Sequence, residues 1–157
     1  PSLEAFFFNF NGTLTSSKIQ MSEAELMSRQ LTAREGEKVV KTRDMSGQAP
    51  YIINTGLSYN NKLSGLEAGL FYNVQGATLN YIGFGNRTDT YSVPFHAVNL
   101  SLNKTFGASE KIKAGINVQN LLNQSRQEVF RSYNADDQIF SSLNPGTLIN
   151  INFSYGL

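Results

Sequence analysis

Few residues in this chain have side chains that could carry out covalent or metal chemistry. His96 is the only histidine and there is no cysteine, so the chain offers neither a thiolate metal site nor a cysteine nucleophile. No serine or acidic residue is placed to form a catalytic triad with His96. The sequence therefore predicts a protein that is not an enzyme, with no metal and no cofactor.

Two short segments resemble ligand-binding loops only superficially. "NADDQ" (Asn134 to Gln138) offers oxygen ligands for Ca²⁺, but it lacks the glycine and the distal glutamate of an EF-hand loop. "GFGNRT" (Gly83 to Thr88) is rich in glycine, but no βαβ unit surrounds it. We interpret the first as an exposed acidic turn and the second as an external turn.

The composition excludes another class of partner. The formal net charge is +1, and the chain lacks the clustered Lys and Arg that nucleic-acid binding requires. Charged residues make up 16% of the chain, against about 25% in typical soluble domains. Asn, Ser, Thr and Gly take their place.

Alternation of apolar and polar side chains with a period of two runs through six segments, which predicts six β-strands. These segments are 3–17, 50–60, 66–76, 96–106, 111–120 and 149–157. Leu100, for example, lies between Asn99 and Ser101.

The links between the predicted strands alternate in length. "NKLSG" (61–65) and "GASE" (107–110) are short and contain glycine, whereas 18–49, 80–94 and 121–146 are long. Short turns at one end and long loops at the other are typical of an outer-membrane barrel. Strands of about 9–11 residues suffice to cross a bilayer when tilted.

The fold class we predict is all-β, an antiparallel transmembrane β-barrel to which this chain contributes about six strands. Alternation by itself also fits a soluble β-sandwich. Lipid is favoured by the amide- and hydroxyl-rich polar faces and by aromatic residues at strand ends. No charge lies at the centre of an apolar face, since Glu4 and Lys104 are near the ends with the short turns.

In a barrel the polar faces line the lumen, so lumen and loop side chains are the candidate ligand contacts. The arginines of the external loops could meet an anionic ligand, although each of these residues could also serve only as wall. The candidates are Phe71, Asn73, Gln75, Arg87, Asn117, Gln119, Arg126 and Arg131. His96 is predicted to be an interface residue on the apolar side.

The first long link contains a predicted helix. Ser22 and Glu25 have the spacing of a capping box, in which each side chain satisfies a backbone N–H at the start of the helix. The mixed charges that follow along 23–44 indicate a solvated face.

The last predicted strand resembles the assembly signal of outer-membrane barrels. In "INFSYGL" the alternate residues Ile151, Phe153, Tyr155 and Leu157 are apolar, with leucine where phenylalanine is more usual. Three longer motifs resemble those of TonB-dependent outer-membrane receptors of the form common in Bacteroidetes. They are "MSGQAPYIINTGLSY" (45–59), "KIKAGINVQNLLNQ" (111–124) and "NPGTLININFSYGL" (144–157).

This resemblance implies a 22-stranded barrel with a plugged lumen. Residues 1–157 would be its C-terminal segment, with the plug domain and the signal peptide outside this chain. The implied activity is active import of a siderophore, an oligosaccharide or a peptide across the outer membrane of a Gram-negative bacterium. The implied partners are outer-membrane lipid, the rest of the barrel and its plug, the TonB complex and a surface lipoprotein. A passive porin-like barrel and a soluble β-sandwich for binding or adhesion are the alternatives.

Overall fold

The structure is a computed structural model that describes residues 5–107 and 111–156. It is all-β with one short helix, and its β-sheets are antiparallel. The helix α1 spans Glu23–Thr32. The strands are β1 Phe6–Leu14, β2 Lys18–Gln20, β3 Thr42–Asp44, β4 Tyr51–Asn61, β5 Leu66–Gln75, β6 Thr78–Tyr81, β7 Asp89–Ser92, β8 Phe95–Phe106, β9 Ile112–Gln119, β10 Arg126–Arg131, β11 Gln138–Leu143 and β12 Leu148–Tyr155.

The six predicted segments form one sheet. Its strand order is β1-β4-β5-β8-β9-β12, so consecutive long strands are neighbours and all pair antiparallel. In the part of the chain that the structure describes, β1 and β12 each pair on one side only. The sheet is therefore open at both edges.

Pairing in register places the predicted apolar residues on one face, which we call the apolar face. One row across the sheet consists of Phe8, Leu57, Leu70, Leu100, Val118 and Ile149. The adjacent row on the polar face consists of Phe7, Ser58, Gly69, Ser101, Asn117 and Asn150. A slip of one residue would move the apolar side chains of a strand to the other face. The separation of apolar and polar residues between the two faces therefore depends on this register.

Most of the apolar face is not covered by the chain itself, although Val74 and Val118, near the second sheet, are buried. The exposed fraction is 37% for Leu100, 41% for Ile116 and 77% for Ile151. Large side chains on the face of an ordinary antiparallel sheet are buried against a core. This sheet instead presents a continuous apolar surface.

The prediction of loops at 80–94 and 121–146 is wrong in part, because these links contain strands. These strands form a second sheet with the order β11-β10-β7-β6. In the chain they follow or precede β12, β9, β8 and β5 respectively, and those four strands have the same order in the large sheet. Irregularities in these links interrupt the alternation of apolar and polar residues. Pro94 lies between β7 and β8, and the strand register shifts after Leu79 and after Glu128. A register shift breaks the period of two on which the prediction depends.

Apart from glycines, the buried residues cluster where the two sheets meet rather than in the middle of the large sheet. They are Ala49, Val74, Thr78, Leu79, Thr90, Val118, Asn120 and Val129. The amide nitrogen of Gly47 donates to the carbonyl of Leu79, at 2.8 Å, so the segment before β4 lies against the second sheet.

The predicted helix is present with the Ser22 half of its predicted capping box, whereas the Glu25 carboxylate accepts from Arg43 and Arg29 instead. The Ser22 hydroxyl accepts a hydrogen bond from the Glu25 amide nitrogen at 3.2 Å. The prediction of a solvated charged face is wrong for Glu25, Arg29 and Arg43, whose side chains are only 14%, 27% and 17% exposed. They form ion pairs that join α1 to β3 and β7.

Two further predictions concern the limits of the large sheet. Lys104 lies at its short-turn end, opposite Leu66, and donates to the Ser64 carbonyl. Glu4, Leu157 and most of the "GASE" turn lie outside the described residues. No described helix has the length and apolar character needed to span a membrane.

Candidate functional site

Two cavities flank the second sheet, one on each of its faces. Glu128 pairs with Ser92, whereas Arg131 pairs with Asp89, and the odd spacing along each strand puts the two pairs on opposite faces. The cavity beside Glu128 has a volume of about 460 Å³, and we call it the amide cavity. The cavity beside Arg131 has a volume of about 630 Å³, and we call it the arginine cleft.

The amide cavity brings together three of the predicted ligand contacts, Asn73, Gln75 and Arg126. The guanidinium of Arg126 stacks on the ring of Phe95, with its central carbon 4.8 Å from the ring centroid. The side-chain amide of Asn73 donates to Asn54 across the strand pair. Arg126 forms no salt bridge with any described residue, so its donors are available to a solute.

Acceptors also line the amide cavity. Glu128 accepts a hydrogen bond from the side chain of Asn80 at 2.6 Å, and Ser92 and Ser141 add hydroxyl groups. A cavity of this kind, with amides, hydroxyls, one cation and an aromatic ring, suits a polar solute.

Three predicted contacts share the polar face but do not line the amide cavity. They are Phe71, Asn117 and Gln119, which lie on the large sheet farther from the second sheet than Gln75 does. Phe71 pairs with Gly56, Asn117 with Asn150 and Gln119 with Leu148. The ring of Phe71 lies over two glycines, because a Cβ at Gly56 or Gly69 would approach it to 2.7 or 2.6 Å. Phe71 is thus held flat against the sheet.

The arginine cleft contains the other two predicted contacts, Arg87 and Arg131, together with α1 and the loop 83–89. Arg131 is already engaged: it pairs with Asp137 at 3.0 Å and lies 4.7 Å from the centroid of the Tyr91 ring. Burial raises the pKa of Tyr91 above its usual value, and the charges of Asp89 and Asp44 raise it further.

An ion pair holds α1 against the arginine cleft. The guanidinium of Arg29 donates to both carboxylate oxygens of Asp89, at 2.8 and 3.1 Å, and Asp89 also accepts from the Gly83 amide at 2.8 Å. Burial lowers the pKa of Arg29, but the hydrogen bond and charge of Asp89, with a contribution from Glu25, raise it above its usual value.

Sequence reasoning missed Arg29, Arg34, Ser92, Phe95 and Glu128 as cavity residues. They come from segments tens of residues apart, and they meet only because the hairpins extend beyond the large sheet. The one local signal was the alternation Arg126-Gln127-Glu128, which has the period of a strand.

The residues of the predicted assembly signal lie at the edge of the sheet. Ile151, Phe153 and Tyr155 share the apolar face of β12 and are 77%, 70% and 59% exposed, and Leu157 is outside the described residues. His96 lies on the same face of the sheet, where its Nδ1 is 2.7 Å from the Tyr72 hydroxyl. Within 5–107 and 111–156 no cluster of His, Cys, Asp or Glu could hold a metal ion.

Comparison with known proteins gives no match: no protein-family model, no curated protein and no solved structure is similar to this chain at a significant level.

Proposed function

We propose that this chain forms part of the wall of an outer-membrane β-barrel that imports a solute, with its apolar face in lipid and its polar face in the lumen. The observation that carries the proposal is the exposed apolar face of a sheet that is open at both edges. Further strands would complete the barrel, since six are too few to close one and the smallest have eight.

Lipid is the partner that fits this surface. Leu100 and Ile116 lie near the middle of the long strands. Lys104, the charged residue on the described part of the apolar face, lies at the end of the sheet with the short turns. In a bilayer a charge costs about 2–4 kcal/mol at mid-depth but about 0–1 kcal/mol near the interface. The position of Lys104 is therefore one that a bilayer tolerates.

A soluble β-sandwich would bury this apolar face under a second sheet. The second sheet here extends the first one along its strands, and the described residues leave Phe8, Ile151 and Phe153 at least 70% exposed. We expect the protein to need detergent or lipid. A chain that stays monomeric and folded in plain buffer would favour the sandwich.

Energy-coupled import, in which a plug is moved by the TonB complex, is the form of transport that the sequence resemblance implies. The imported solute would be a siderophore, an oligosaccharide or a peptide, and the amide cavity is its proposed contact on this chain. A passive porin-like barrel is the second candidate, because its wall would have the same two faces. Uptake that stops when the inner-membrane proton gradient is collapsed would support the energy-coupled form, whereas unchanged uptake would support the porin.

The membrane assignment is tested by placing the same charge on neighbouring residues of β8. Leu100→Arg puts a cation on the apolar face at mid-strand, and Asn99→Arg puts it on the polar face. We expect Leu100→Arg to lower assembly in an outer-membrane folding assay sharply, while Asn99→Arg assembles much more nearly like the wild type. Equal losses in the two variants would reject the assignment of the faces.

A further inference from the structure

The arginine cleft contains more cationic groups than its own carboxylates can pair. Four arginines line it, Arg29, Arg34, Arg87 and Arg131, against the carboxylates Glu37 and Asp89. Asp89 is occupied by Arg29 and the Gly83 amide, and Glu37 accepts from the Arg34 backbone nitrogen at 3.0 Å.

Two of the four guanidiniums have unused donors. Arg34 donates from Nη1 to the Tyr133 carbonyl at 3.3 Å, and Arg87 is exposed. Neither forms a salt bridge with a residue in the described ranges. A guanidinium carries five N–H donors, so most of the donors on these two side chains face the cleft or solvent.

The walls of the cleft are held in place independently of these two arginines. The Arg29–Asp89 pair fixes α1 to β7, and the Ser28 hydroxyl accepts from the Gly85 amide at 2.8 Å, which fixes α1 to the loop that carries Arg87. Thr88 and Ser132 add hydroxyl groups to the lining. The loop backbone that carries Arg87 is thus held against α1 before any ligand binds.

We propose that the arginine cleft binds phosphate groups, with the anion held between Arg34 and Arg87. Paired guanidiniums suit these groups because each can donate two parallel hydrogen bonds to two oxygens of the anion. The anion could belong to a free solute or to the headgroup of a phospholipid, and both present the same oxygens. This inference goes beyond the transport proposal, and neither depends on the other.

The test is a calorimetric titration of the protein in neutral detergent with two probes. Inorganic pyrophosphate represents a free anion, and dihexanoyl phosphatidic acid below its micelle concentration represents a lipid phosphate, with dihexanoyl phosphatidylcholine as its zwitterionic control. The wild type should bind at least one of the two anionic probes, with an affinity that falls as salt is added. The double variant Arg34→Gln/Arg87→Gln should bind the same probe at least tenfold more weakly.

A matched variant separates a site from general attraction to positive charge. Lys38→Gln/Lys41→Gln removes the same charge from exposed positions of the same segment that do not line the cleft. This variant should change the affinity less than twofold. An unchanged thermal midpoint of Arg34→Gln/Arg87→Gln would show that the cleft is still folded, since the Arg29–Asp89 pair is left intact.

The outcomes identify the source of the anion. Binding of pyrophosphate assigns the site to a free anion, and binding of the phosphatidic acid without pyrophosphate assigns it to lipid. The proposal is overturned if the wild type binds neither probe, if the lysine variant loses as much affinity as the arginine variant, or if phosphatidylcholine binds as well as phosphatidic acid.

Discussion

The side-chain amide of Asn120 donates to the carbonyl of Gly146 at 2.9 Å and so joins the end of β9 to the start of β12. The same side chain accepts a hydrogen bond from the backbone nitrogen of Gln124 at 3.0 Å and donates one to the backbone carbonyl of Gln124 at 3.1 Å. Asn120 is 8% exposed and has a φ of 52°, a conformation that asparagine tolerates better than most residues. The "NLLNQ" segment is therefore a hydrogen-bonded corner between the two sheets.

Asn120→Ala should lower the free energy of unfolding by about 1–3 kcal/mol, because it leaves partly buried backbone groups of Gln124 and Gly146 without partners. Unfolding by urea in lipid vesicles would measure the loss. Asn120→Gly relieves the strain at positive φ but removes the same hydrogen bonds, so it should recover only part of the stability. Asn123→Gly is the control, since Asn123 has a φ of 49° but is exposed. An Asn120→Gly protein as stable as the wild type would assign the role to the backbone alone.

The contact between Phe71 and Gly56 should appear as a coupling between two substitutions. A Cβ at Gly56 would lie 2.7 Å from Cδ1 of Phe71, so Gly56→Ala should cost about 1–3 kcal/mol. In a Phe71→Ala background the same change should cost less by at least about 1 kcal/mol, because the ring is gone. Gly156→Ala, whose nearest contact would be 3.9 Å away, should be almost neutral. Strict additivity would show that the ring moves away without cost.

The Arg29–Asp89 pair should matter more than the exposed Lys18–Asp44 pair. The Asp89 side chain is 12% exposed, and Asp89→Ala would remove the acceptor of the Gly83 amide and leave Arg29 only its 3.5 Å contact with Glu25. We expect a loss of about 1–3 kcal/mol and faster amide hydrogen exchange in α1. Asp44→Ala breaks a pair whose side chains are 59% and 55% exposed, and it should cost less than about 0.5 kcal/mol. Similar exchange rates for α1 in both variants would contradict this difference.

Tyr91 should make the protein less stable at alkaline pH. Burial and the nearby carboxylates raise its pKa, so the folded protein holds the phenolic proton more tightly than the unfolded chain does. This contribution is complete below the unfolded pKa of about 10 and is lost as the pH rises through the higher folded pKa.

The measurement is the urea midpoint at pH 9 and pH 11. Tyr91→Phe cannot ionise there, so it should lose less stability than the wild type between these two pH values. Tyr133→Phe, at a position 47% exposed, should behave like the wild type. If Tyr91→Phe and the wild type lose the same stability, the alkaline effect comes from other groups.

Period-two alternation was sufficient to predict the six long strands, their antiparallel neighbours and the residues of each face. Leu100 and Asn99 could be assigned to opposite faces because every second side chain in a strand points the same way. The helix start was predictable for a similar reason, since the Ser22 cap depends on a residue only three positions away. The resemblance to outer-membrane receptors and the transport function remain predictions.

The second sheet and both cavities were decided by tertiary structure. Pairing of β7 with β10 places Asp89 opposite Arg131, and helix docking brings Arg29 to Asp89. Contacts of this kind depend on the combined effect of register shifts and turns over tens of residues. A local sequence pattern does not predict which residues this combination brings together. The sequence by itself determined which side chains are apolar at every second position, because that is a property of the strand. Only the folded chain determined that Arg29 meets Asp89 and that Arg43 meets Glu25, because these ion pairs join segments that are far apart in sequence.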